Sequence, residues 1–154
     1  DYHKANGGIS RYKKFQHFYE VISPSSDIKE LCDEALIRFA NIVSKGLLTV
    51  DYVPGVVSFF ESIYSPETYL YINSGSDEKE LNYLCSELGI SKYFKTIEGS
   101  PTNKNDLVKN ILSTYMYNVN ESVLVGDSIN DYDASKANNF ISVILTSKRH
   151  VRLK

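Results

Sequence analysis

Asp127 and Asp131, two carboxylates four positions apart, follow the apolar run Val123-Leu124-Val125 and Gly126. The run predicts a buried strand, the glycine permits a sharp turn, and the acids fall in the loop and first helical turn beyond it. Negative charge gathered at the carboxyl end of a strand suits a hard cation such as Mg²⁺, which takes oxygen ligands. The plainer reading of the same residues is a strand-turn-helix junction in which Asp127 or Ser128 merely caps the helix begun near Asn130.

The same design occurs twice more upstream. Tyr69 to Asn73 predicts a strand ending at Ser74-Gly75-Ser76-Asp77, where a hydroxyl, a glycine and backbone N–H groups at a helix start make an anion cradle. Leu81, Leu84, Cys85 and Leu88 share one face of the helix that follows, and Gly89 should stop it. Tyr93 to Glu98 predicts the next strand, Gly99-Ser100-Pro101 a loop, and Asn103 the cap of a helix that buries Leu107, Val108, Ile111 and Leu112. Lys104 sits in the first turn of that helix, where an unpaired cation opposes the helix dipole at a small cost.

A hydroxyl after one strand, a lysine at the next helix start and a Gly-Asp-x-x-x-Asp after the next strand follow one another. In that order, over roughly residues 50 to 147, the chain resembles the haloacid dehalogenase-like (HAD) hydrolase superfamily. The segment Asp1 to Phe18, with Asn6-Gly7-Gly8-Ile9-Ser10-Arg11-Tyr12, looks like the cap helices of its phosphoglycolate phosphatase-like members. The resemblance implies that Ser74, with Gly75, and Lys104 hold substrate phosphate. It makes Asp127 the Mg²⁺ ligand, with Asp131 a second ligand or the partner behind it. It further implies a Mg²⁺-dependent phosphatase acting on a small phosphorylated metabolite through an aspartyl-phosphate. Arg11, Lys13 and Lys14, on a cap that overhangs the site in the resembled family, are the candidates for substrate selection; a merely solvated helix face is the competing reading.

The family's opening Asp-x-Asp, which carries the nucleophile and the acid/base, follows no apolar strand in this chain. Asp131-Tyr132-Asp133 has the spacing but lies in the predicted metal-motif helix, and Asp51 stands alone before Pro54-Gly55. In the family that strand is central to the sheet, so its absence predicts two unpartnered strand edges. The 154 residues alone are therefore expected to be inactive, completed by a missing N-terminal segment or by homodimerisation. A catalytically silent domain or fragment that binds phosphate and metal is the alternative. Phosphomutase and dehalogenase activities stand behind it, the latter having no need of the metal. A receiver-type signalling domain ranks last, because its lysine should come after the acidic motif rather than before.

Composition narrows the rest. A net charge of −2 argues against a nucleic-acid surface, the only basic runs being Arg11 to Lys14 and a tail, Lys148 to Lys154, read as a solvated terminus. Cys32 and Cys85 fall on apolar helix faces and read as packed, reduced thiols, which suits a cytoplasmic location. No apolar run approaches the ~18 residues of a membrane span, so no membrane partner is expected. Twelve tyrosines and no tryptophan are scattered over many elements and read as edge packing. His3, His17 and His150 show no metal-ligand spacing.

The fold class expected is α/β: a Rossmann-like parallel sheet with helices on both faces, plus a small helical cap. Residues 1–47 would form a partial cap, an antiparallel helix pair ended by Gly46, and residues 48–154 the core lacking its first strand. Ligands bind at the carboxyl ends of the strands in such sheets.

Overall fold

The structure, a computed structural model, describes residues 2–6 and 9–145. The basic tail, His150 and the Gly7-Gly8 pair lie outside the described residues. The chain is α/β, with its described strands paired in parallel, and it divides into two compact units: Ile9–Asn103, and Asp1–Gly8 together with Lys104–Lys154. The single turn α1 (Tyr2–Ala5) belongs to the second.

In the first unit Ser10 caps α2 (Arg11–His17), which widens into one π-helical turn over Phe18–Ile22. Next comes α3 (Ile28–Leu47), whose Cys32 is fully buried. Gly46 does not end this helix. It lacks the left-handed conformation that would force a stop, and the Leu48 N–H donates to the Ser44 carbonyl at 3.2 Å. Of the expected apolar face of α3, Phe39 and Ile42 remain exposed, whereas Val43 is half-buried. At about 1.5 Å per residue, α2 and its π turn are too short to shield a helix of twenty.

Gly55, at φ 83°, turns the chain into α4 (Val56–Ile63). Phe60 of α4 packs edge-on against Phe94, with ring centroids 5.1 Å apart, and Tyr64 does the same with Tyr93 at 5.7 Å. These tyrosines serve packing. Strand β1 (Leu70–Asp77), helix α5 (Glu78–Glu87) and strand β2 (Phe94–Ser100) complete the unit, with Ile72 opposite Ile97 and Leu84 and Cys85 of α5 buried. α5 packs on both strands and on α3, so residue 47 is not a border between units.

Both strands run further than the sequence suggests. Ser74 to Asp77 remain in β1, and Gly99 and Ser100, expected in a loop, remain in β2, paired as Asp77 with Ser100 after an irregularity that begins at Asn73. Gly99 permits this: a β-carbon there would lie 2.5 Å from the Ser76 carbonyl oxygen.

The second unit holds α6 (Lys104–Tyr115), β3 (Val123–Gly126), α7 (Ile129–Ala137) and β4 (Ile141–Ile144). β3 and β4 pair in parallel with Leu124 opposite Ser142, and α7 packs against both strands and against α6. Leu107, Val108 and Ile111 of α6 are buried as expected. β3 is not the fully buried strand the run Val123-Leu124-Val125 predicts: Val123 and Val125 are exposed, as are Ile141 and Val143 of β4. α7 covers one face, and among the described residues the alternate side chains of both strands point away from it.

Helices α5, α6 and α7 end alike. Gly89, Met116 and Asn139 take left-handed backbone at φ 68°, 53° and 57°, and the next N–H reaches back to Cys85, Leu112 and Ser135 respectively. This closes the free carbonyls of each last turn. Among the described residues no helix is long and apolar enough to cross a membrane.

Candidate functional site

Asp131 is the organising residue of the second unit. It is 4% exposed, and each of its oxygens has a task. Oδ2 accepts from the Asp127 N–H at 3.1 Å, the Ser128 N–H at 2.9 Å and the Ser128 hydroxyl at 2.7 Å. Ser128 Oγ in turn accepts from the Asp131 N–H at 3.3 Å, which closes a capping box over the start of α7. Oδ1 receives the Lys104 ammonium. Burial alone would raise the Asp131 carboxyl, but the hydrogen bonds from Lys104 and Ser128 and the Lys104 charge outweigh it and hold the group below its ordinary range. The lysine that opposed the dipole of α6 therefore has its counter-charge one helix away.

Gly126 makes room for this. Its φ is not positive, so the sharp turn inferred from sequence is not its role; a β-carbon there would overlap the Asp131 carboxylate. Asp127 differs from Asp131 in every respect. Its side chain is exposed and makes no hydrogen bond or ion pair among the described residues. The Asp127 side chain is thus open to a hard cation as an oxygen ligand, whereas Asp131 Oδ2 already accepts from three donors and Oδ1 from Lys104. Among the described residues no three metal-ligating side chains cluster.

In the first unit, Ser74 Oγ accepts the Ser76 N–H at 3.2 Å, which leaves its own hydroxyl proton to donate. The Ser100 hydroxyl donates to the Gly75 carbonyl at 2.8 Å and ties the end of β1 to β2. Asn73 Oδ1, beside Ser74, is buried without a hydrogen bond among the described residues. Arg11 is engaged: its guanidinium meets Glu80 and stacks over Phe39. Lys13 is exposed and Lys14 half-buried on α2. Cys32 and Cys85 are unbridged and buried, and burial raises both thiols, for Cys32 with help from Asp33 and Glu20.

Three features escaped the sequence reading: the Lys104 to Asp131 contact, the space at Gly126, and the double use of the Ser128 hydroxyl. Ser128-x-x-Asp131 is a capping-box spacing, so the last was open to recognition.

Comparison with known proteins agrees with this architecture. A predicted phosphatase from Clostridium acetobutylicum is 16% identical and superposes with a TM-score of 0.72, over 90% of this chain and 64% of that one. A haloacid dehalogenase-like family protein from Streptococcus pneumoniae is 20% identical, with a TM-score of 0.64 over 92% of this chain and 81% of that one. A protein from Clostridium difficile is 17% identical, with a TM-score of 0.65 over 84% of this chain. The chain spans 63% and 64% of the length of the two clostridial proteins. No curated protein matches it. Residues 9–145 match the haloacid dehalogenase-like hydrolase family, and the chain belongs to that family.

Proposed function

We propose that these residues form the phosphate- and metal-holding part of a Mg²⁺-dependent phosphatase that acts on a small phosphomonoester. The observation that carries the reading is the Lys104 to Asp131 pair, with the backbone of Asp127 and Ser128 held on the same carboxylate. Phosphoryl transfer asks a protein mainly for positioning and charge neutralisation. Lys104 spends one of its three N–H donors on Asp131 and keeps two for phosphate oxygens. The Ser74 hydroxyl donates to a phosphate oxygen, with the Gly75 backbone beside it. Asp127 is the carboxylate for Mg²⁺, which when bound offsets phosphate charge, and Asp131 positions rather than ligates. Lys13 and Lys14 are the cap cations left for substrate selection, since the Arg11 charge is already paired.

No acceptor aspartate is assigned among the described residues of the second unit, where exposed Asp133 stands outside the Asp131 network. A second copy of this chain that pairs with an open strand edge is the other proposed partner. Buried, unbridged thiols accord with a cytoplasmic location. A domain that binds phosphate and metal without turnover is the second reading of the same residues.

The test is hydrolysis of p-nitrophenyl phosphate with Mg²⁺. The 154 residues alone should show none, and turnover should require an added strand ending in Asp-x-Asp. Robust turnover by the 154 residues, lost in Asp127→Asn, would overturn the assignment and move the nucleophile to Asp51 or Asp133.

A further inference from the structure

Glu80 lies in the first turn of α5, where its N–H donates to the capping carboxylate of Asp77 at 3.1 Å. Its side chain is 9% exposed and is held by two other helices at once. Arg11 Nη1 of α2 lies 2.5 Å from Glu80 Oε2, a charge contact rather than an aligned hydrogen bond. Ser44 Oγ of α3 donates to Glu80 Oε1 at 3.1 Å. Phe39 of α3 presents its ring to the Arg11 guanidinium, 4.7 Å from the centroid. A carboxylate so shielded is costly without its counter-charge, so removing Arg11 while α2 and α3 stay docked would strand Glu80 and loosen that docking.

The end of β1 preceding α5 is also held by β2. The Gly99 N–H donates to Glu78 Oε2 at 3.2 Å, and the Ser100 hydroxyl binds the Gly75 carbonyl. Ser74 to Asp77 are thus fixed between the end of β2 and the Glu80 clamp. The clamp is the part that a movement of α2 and α3 would break.

We propose that Glu80 is a positioning residue: clamped by Arg11 and Ser44, it couples the docking of α2 and α3 to the geometry of the irregular end of β1 that carries Ser74. The proposal rests on Ser74 holding phosphate. Coupling of this kind is reciprocal, so an anion that binds the ordered strand end more tightly also tightens the docking of the two helices.

The test is calorimetric titration with inorganic phosphate, combined with hydrogen exchange of α2 and α3, on the parent and on Glu80→Gln, Arg11→Ala, Arg11→Lys, Ser74→Ala and the Arg11→Ala/Glu80→Gln pair. Glu80→Gln and Arg11→Ala should each weaken phosphate binding by about tenfold, within the range of such couplings. Both should speed exchange in α2 and α3. The double variant should be no worse than either single, and Arg11→Lys should retain most of the binding. Phosphate should slow exchange in the parent. Ser74→Ala should lose phosphate affinity while α2 and α3 exchange as in the parent. Unchanged exchange in the single variants, or losses that multiply in the double, would overturn the clamp even if phosphate binds. A parent that binds no phosphate would overturn the reading of Ser74, and with it the positioning role, whatever the exchange shows.

Discussion

The Asp131 carboxylate occupies the space that a side chain at Gly126 would fill. The end of β3 and the first turn of α7 meet there because one residue has no β-carbon and the other a buried acid. Everything the second unit offers to a ligand depends on that fit: the Lys104 ammonium, the Asp127 backbone and the Ser128 cap all rest on Asp131.

Gly126→Ala should therefore displace Asp131 and destabilise the protein by about 2 kcal/mol, the usual scale for overpacking. Urea unfolding measures it. A parent-like midpoint would mean that Asp131 can move aside without loss.

Asp131→Asn leaves Lys104 without its buried partner and should cost about 3 kcal/mol at neutral pH. The folded carboxyl titrates below its ordinary value, so its stabilisation is fully present above an unfolded pKa of about 3.9 and is lost as pH falls through the lower folded value. Unfolding midpoints followed from pH 6 down to about pH 2 should fall steeply below the unfolded value for the parent and more gently for Asp131→Asn. Parallel acid limbs would exclude Asp131 as a source of the acid lability.

Met116 occupies left-handed backbone at the end of α6 while its side chain is 89% exposed, so it bears conformational cost without packing return. Met116→Gly should stabilise by about 1 kcal/mol. Asn139→Gly, at the equivalent place after α7, should gain less because asparagine tolerates that conformation. Thermal unfolding of the two variants checks both the sign and the order.

Burial raises the Cys32 and Cys85 thiols, so neither should be an effective nucleophile near neutral pH. A disulfide-exchange reagent should label both only as fast as the protein opens, and immediately in urea. Fast native labelling of Cys32 would contradict its complete burial.

The alternation of strands and helices, the buried faces of α5 and α6, and the cap of α7 were legible in the sequence because local periodicity and capping chemistry determine them. Strand ends were not. Ser74 to Asp77 read as a loop by composition, but pairing with β2 kept them in the sheet, and that close approach depends on Gly99, some two dozen residues away. The exposure of Val123 and Val125 was equally hidden, since an apolar run predicts burial and only tertiary packing shows which face is covered. In the site, residue types pointed to Lys104 and both acids. Spacing alone did not distinguish the two acids; the hydrogen bonds do, by engaging the Asp131 carboxylate and leaving the Asp127 side chain open.

That division between the two aspartates is the central claim, and calorimetric titration with Mg²⁺ tests it most directly. Asp127→Asn should abolish measurable binding by the folded chain, whereas Gly126→Ala, which disturbs the support and spares the ligand, should only weaken it. Mg²⁺ binding by Asp127→Asn as tight as by the parent would contradict the account.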